Sequence, residues 1–256
     1  MEVLLFGHRG AAGEAPENTM SGFAYAWEAG IRCFELDIHL SRDRQLVVIH
    51  DPVLERTIDG RGRVGNFSAA ELRALNTCRF PPGWLTREGI PLLQDVLSIY
   101  RERIVHWQLE IKTDTPENLE NIGSLLAQEL RSQDLFQQVT VTSFDPTALI
   151  TIGRLLPGLR RGLISDFGCI EQLRLPLELG CTNVCVPLRT SNQDVVQAAT
   201  TAGLQVTGWL GNTIDEIKLL LAWGVNAITT DYPSLAVPYL RQRGLLTPDQ
   251  VQLCTN

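Results

Sequence analysis

Two histidines, three carboxylates, an arginine and a lysine stand at or near the ends of apolar runs, and together they could cut a phosphate ester. His8-Arg9-Gly10 closes the first run, and Glu35-Leu36-Asp37, His50-Asp51 and Glu110-Ile111-Lys112 close or occupy three later ones. Side chains alternate across a strand, so in Cys33–His39 the residues Phe34, Leu36 and Ile38 share one face while Glu35, Asp37 and His39 share the other. The same alternation gathers His106, Gln108, Glu110 and Lys112 on one face of Val105–Lys112. Carboxylates buried side by side raise one another's proton affinity, and a divalent ion between them resolves the conflict. Glu35, Asp37 and Glu110 are therefore candidate ligands, and an all-carboxylate set without cysteine suits Mg2+ or Ca2+ rather than zinc. A bare ion pair between Glu110 and Lys112 is the alternative, but it leaves Glu35 and Asp37 without a partner.

His8 follows Val3-Leu4-Leu5-Phe6-Gly7, and His50 follows Leu46-Val47-Val48-Ile49, so both end an apolar strand and enter a loop rather than sit in its core. His39 and His106 lie next to candidate metal positions, where a supporting role and a plain packed or solvated one both fit. Arg9 can grip phosphate oxygens with its planar fork, Gly10 lets backbone approach a ligand, and Lys112 adds a second cation. Phosphodiester cleavage needs a proton removed from the attacking group, a proton given to the leaving oxygen, and charge stabilised on the phosphoryl. Two histidines, a divalent ion and Arg9 with Lys112 meet all three needs. Gly60-Arg61-Gly62-Arg63-Val64-Gly65 matches a dinucleotide-binding spacing but follows no buried strand, and the chain has no Walker loop or serine nucleophile elbow.

These groups need a scaffold that brings distant strand ends together. Eight short apolar runs alternate with helical patterns: Val3–Phe6, Cys33–His39, Val105–Lys112, Val139–Ser143, Arg161–Ile164, Asn183–Val186, Gln205–Trp209 and Ala227–Thr230. Between and after them the helical patterns are Thr19–Ala29, Leu92–Arg103, Pro116–Gln133, Thr147–Leu156, Cys169–Glu178, Asn192–Ala202, Ile214–Trp223 and Ser234–Arg243. Eight such units in 256 residues predict an α/β chain folded as one (β/α)8 TIM barrel, whose active site lies at the C-terminal ends of the strands. The rhythm breaks over residues 51–89, where Gly60, Gly62, Gly65, Pro81, Pro82 and Gly83 cluster. This stretch is expected to be a small insertion after a short strand Leu46–His50, with one helix opened by the capping box Ser68-Ala69-Ala70-Glu71.

A formal charge of −7 disfavours nucleic acid or an anionic membrane as partner, so an anionic ligand must be received by local cations. No stretch approaches the length of a membrane span, and the first residues do not read as a signal peptide. Six cysteines without CxxC spacing are expected to be free thiols in a reducing cytoplasm.

The ordered set His8-Arg9-Gly10, Glu17-Asn18-Thr19, Glu35-Leu36-Asp37, His50-Asp51-Pro52, Gly89-Ile90-Pro91-Leu92, Glu110-Ile111-Lys112, Ser143-Phe144-Asp145 and Thr230-Asp231-Tyr232-Pro233 resembles the glycerophosphodiester phosphodiesterase family over nearly the whole chain. The resemblance implies a TIM-barrel hydrolase with an insertion after the second histidine and a divalent metal at Glu35, Asp37 and Glu110. It implies acid-base catalysis by His8 and His50, with Arg9 and Lys112 on the phosphate. It implies small-molecule glycerophosphodiester substrates, cleaved to sn-glycerol 3-phosphate and an alcohol. Two departures stand out. Trp209-Leu210-Gly211-Asn212 replaces the family's usual Trp-Thr-Val-Asn, which implies that Trp209 still walls the substrate site beside a changed loop. Ala199-Thr200-Thr201-Ala202 lacks the histidine often found before the glycine that ends this helix.

Overall fold

Each apolar run pairs with the next because a helix carries the chain back to the same end of the sheet, and the result is a parallel barrel. The computed structural model describes residues 2–77, 84 and 87–252. Cys78, Cys254 and the Pro81-Pro82-Gly83 stretch lie outside the described residues. The elements in chain order are β1 (Leu4–His8), α1 (Met20–Glu28), β2 (Cys33–Leu40), β3 (Leu46–Val48), α2 (Ala69–Arg73), α3 (Leu93–Tyr100), β4 (His106–Ile111), α4 (Pro116–Ser132), β5 (Val139–Ser143) and α5 (Pro146–Leu155). They continue as β6 (Arg160–Ile164), α6 (Arg174–Glu178), β7 (Asn183–Pro187), α7 (Gln193–Thr201), β8 (Gln205–Trp209), α8 (Ile214–Trp223), β9 (Ala227–Thr230), α9 (Pro233–Arg241) and α10 (Pro248–Gln252).

Among the described residues, β1, β2 and β4 to β9 form a closed parallel barrel with helices between the strands, a TIM barrel as expected. β1 seals it, pairing with β9 on one side (Phe6 opposite Thr229) and β2 on the other (His8 opposite Glu35). β3 stands outside the ring as an antiparallel neighbour of β2, with Ile38 opposite Val48. The strand-helix reading holds for every barrel strand, with two instructive differences. β1 runs on to His8, because backbone pairing with Glu35 continues past the apolar residues. Cys169–Glu178 is not one helix but a 3-10 turn, Ile170–Leu173, followed by α6. Pro176 has no N–H to continue an α-helical ladder from that turn.

The outer faces of the strands carry the main core. Phe34, on the outer face of β2, packs its ring 5.2 Å from Phe23 of α1, 5.2 Å from Tyr100 of α3 and 5.6 Å from Trp107 of β4. The interior is more polar than the branched aliphatic filling usual in such barrels, since Gln108, Thr140, Thr142 and Thr207 are all buried there. A smaller cluster, including Val47, Ile49, Leu54, Ile58, Val64, Leu72 and Ile90, lies under the excursion that follows β3. Its helix α2 begins with the capping box read from the sequence, Ser68 accepting from Glu71 N while the Glu71 side chain accepts from Ser68 N.

Candidate active site

β1 ends in a tight turn that needs unusual backbone: Arg9 has φ 49° and Gly10 φ 87°. The turn aims His8 and Arg9 across the barrel mouth toward β2. His8 Nδ1 lies 2.5 Å from Asp231 Oδ1, just beyond β9, and its Nε2 lies 3.8 Å from Glu35 Oε2. Asp231 is itself fixed by Asn212, whose Nδ2 donates to Asp231 Oδ2 at 2.6 Å and whose Oδ1 accepts from Asp231 N at 2.8 Å. His50 follows β3 and has a matching partner, with Nδ1 2.5 Å from Asp51 Oδ1. Each imidazole thus has one nitrogen committed to a carboxylate, which leaves Nε2 for other chemistry. Burial lowers the proton affinity of His50, opposed by Asp37.

Glu35, Asp37 and Glu110 converge as the alternation predicts, and one oxygen from each lies within 4.8 Å of the others. Asp37 is wholly buried, accepting from Asn18 Nδ2 at 2.7 Å and pairing with Lys112 Nζ at 2.8 Å and Arg9 Nε at 3.2 Å. Burial alone would raise its pKa, but Lys112 and Arg9 hold it well below the usual carboxylate range. Lys112 Nζ also pairs with Glu110, and Arg9 N donates to Glu35 Oε2 at 3.0 Å.

Two cations therefore face three acids, and the imbalance falls on Glu35 and Glu110. Burial, then the neighbouring Asp37, pushes Glu35 well above its ordinary pKa and Glu110 to about 7. A hard divalent ion fits this donor set: it would restore the ionised form of both and needs the oxygen ligands present. The Glu110–Lys112 pair does form, within the carboxylate cluster rather than instead of it.

The cavity above these acids has a volume of about 230 Å3. His8, Arg9, Glu35, His50, Glu110 and Lys112 form its polar part, while Phe144, Ile164, Trp209 and Leu210 form an apolar wall. Phe144 meets Trp209 edge to face at 6.3 Å. Gln108 and Cys185 form part of the lining and are bonded to each other, Gln108 Nε2 donating to Cys185 Sγ at 3.1 Å. Burial raises the Cys185 thiol to about 12, which removes it as a nucleophile.

The two remaining histidines separate. His39 Nε2 meets His50 O at 3.1 Å and so braces the histidine loop, whereas His106 pairs with Thr140 Oγ1 at 2.9 Å away from the carboxylates. Tyr232 is absent from the lining of the cavity and packs against Gly13. Glu17, Asn18, Asp51, Asn212 and Asp231 lie within short motifs of the sequence, but the pattern of residues alone gives them no role in the chemistry. Alternation shows where strand residues point, and these five lie in loops. Asn212 holds Asp231 and is absent from the lining of the cavity.

The sequence profile of the glycerophosphoryl diester phosphodiesterase family matches residues 8–235. A glycerophosphodiester phosphodiesterase of Caldanaerobacter subterraneus subsp. tengcongensis is 26% identical over 244 residues, covering 95% of this chain and 100% of its own. A lysophospholipase D of Rattus norvegicus is 25% identical over 271 residues, covering 91% of this chain and 84% of its own. Among solved structures, a phosphodiesterase of Oleispira antarctica in complex with the product sn-glycerol-3-phosphate superposes with a TM-score of 0.79 at 28% identity, covering 90% of this chain and 93% of that one.

Proposed function

The chain belongs to the glycerophosphoryl diester phosphodiesterase family, and from that premise we propose that it hydrolyses glycerophosphodiesters to sn-glycerol 3-phosphate and an alcohol by metal-assisted acid-base catalysis. The observation that carries the reading is the pair of imidazoles, each anchored at Nδ1 by a carboxylate, above three converging acids. In this reading residues 1–256 act as one catalytic domain and 51–89 as an insertion within it.

Glu35, Asp37 and Glu110 would hold Mg2+ or Ca2+, which when bound supplies positive charge to the phosphoryl oxygens. Arg9 and Lys112 orient the phosphate and offset its charge. His8 takes a proton at Nε2 from the attacking hydroxyl, and Asp231 stabilises the imidazolium that results. His50 gives its proton to the departing alcohol oxygen, with Asp51 keeping the ring in place. Trp209 and Phe144 shield the leaving-group side from water.

Turnover of a glycerophosphodiester panel in EDTA, then with each cation restored, tests reaction class and metal need together; full activity in EDTA would remove the metal from the reading. The proton roles separate with a p-nitrophenyl leaving group, which departs without protonation. His50→Ala is expected to regain activity on that substrate and His8→Ala is not; the reverse pattern would exchange the two roles. Early quenching asks whether water or the glycerol hydroxyl attacks, since only the latter yields a cyclic phosphate.

A second reading, release of alcohol from a lysophospholipid, is favoured by the apolar wall, where Phe144 is half exposed. Turnover of glycerophosphocholine against its lysophospholipid decides between them.

A further inference from the structure

The excursion after β3 sends one arginine back to the catalytic mouth. Arg56 sits in a turn pinned by two buried neighbours, Leu54 and Ile58, with Ile58 N donating to Leu54 O at 3.0 Å. Its guanidinium uses all three nitrogens. Nη1 and Nη2 each donate to Glu17 at 2.7 Å, Nε donates to Asp51 Oδ2 at 2.6 Å, and Nη2 donates to Asp51 Oδ1 at 3.1 Å. Asp51 is the carboxylate that holds His50, and Glu17 also accepts from Arg9 Nη1 at 3.0 Å. One planar fork therefore joins the anchor of a histidine to the anchor of the phosphate-facing arginine. Arg56 itself is absent from the lining of the cavity.

Resting on the proposed acid-base roles, we infer that Arg56 is a positioning residue that acts on catalysis through Asp51 and His50. An Asp51 side chain with only the imidazole to hold it could rotate about its own bonds. The second carboxylate oxygen is fixed by Arg56, and Arg56 is fixed in turn by Glu17, whose side chain is only 8% exposed. A lysine would keep the charge but not the two-carboxylate fork. The Arg56 side chain is 44% exposed, so its ion pairs add little to global stability and their loss should leave a folded protein. The effect of the network is expected in turnover instead.

The test uses the full chain with its metal restored and compares Arg56→Ala, Arg56→Lys, Asp51→Asn, the Arg56→Ala/Asp51→Asn double variant, His8→Ala and His50→Ala. Arg56→Ala is expected to lose about 10- to 100-fold in kcat, as for other groups that orient a catalytic side chain, with KM changed far less. Arg56→Lys should stay low, and added guanidinium ion should restore part of the activity of Arg56→Ala. The double variant should be no slower than the worse of its two parents, because both act on one group. Across glycerophosphocholine and the p-nitrophenyl ester, the Arg56→Ala defect should follow that of His50→Ala rather than His8→Ala. Arg56→Ala within twofold of the parent, full activity with lysine, or multiplying defects would each overturn the inference. If His50→Ala itself retains turnover, the acid-base reading fails first; if His50→Ala is inactive while Arg56→Ala is not, only the role of Arg56 falls.

Discussion

At the scale of single residues, the sharpest distinction lies between the partly exposed imidazole of His8 and the buried one of His106. His8 is held by Asp231 at 2.5 Å, so Asp231→Asn should lower kcat by at least about tenfold with little change in KM, because the wrong ring tautomer becomes favoured. Steady-state kinetics on glycerophosphocholine check this, and an unchanged kcat would count against the dyad. His106 has no such duty. Burial, with a smaller push from Arg160, lowers its pKa to about 3, so in the fold it stays neutral where an unfolded chain takes up a proton. Its contribution to stability is therefore complete above the ordinary histidine pKa of about 6.5 and is lost as pH falls toward 3, at up to about 1.4 kcal/mol per pH unit. Thermal melts of His106→Gln, which keeps a partner for Thr140, should decline less steeply than the parent over that window. Strand alternation makes Glu35, Asp37 and Glu110 legible in the sequence, since periodicity fixes direction. Asp231 and Asp51 were not legible as histidine partners, because loop side chains follow no period.

Elements set how far those residues can be trusted to meet. The turn after β1 closes so tightly that a Cβ on Gly7 would stand 2.3 Å from Gly10 O, within the backbone that carries His8 and Arg9. Gly7→Ala should lower both melting temperature, by about 1–3 kcal/mol of stability, and turnover. Gly203→Ala offers the contrast: its φ is 84° but nothing lies within 4 Å, so it should cost about 1 kcal/mol and leave kcat unchanged. Equal kinetic losses in both variants would mean that the β1 turn has no special place. Apolar runs and capping residues revealed the strands and helix starts because burial and hydrogen bonding act locally. The antiparallel seat of β3 beside β2 was not legible, as Leu46–Val48 presents the same apolar run whether it joins the ring or flanks it.

For the whole molecule, the converging acids link ligand binding to folding. A divalent ion that binds only the folded chain should raise stability by about 2.7 kcal/mol at a hundred times its Kd, seen as a melting shift of several degrees. Glu110→Gln should shrink that shift, and an undiminished shift would put the ion elsewhere. Barrel closure has another consequence, in the order of synthesis. His8 is made well before its partner Asp231, which comes 223 residues later, on the far side of the seam where β1 meets β9. A chain still emerging from the ribosome thus carries an idle His8 until β9 and Asp231 arrive. Prematurely released products should be inert toward phosphodiesters rather than partly active.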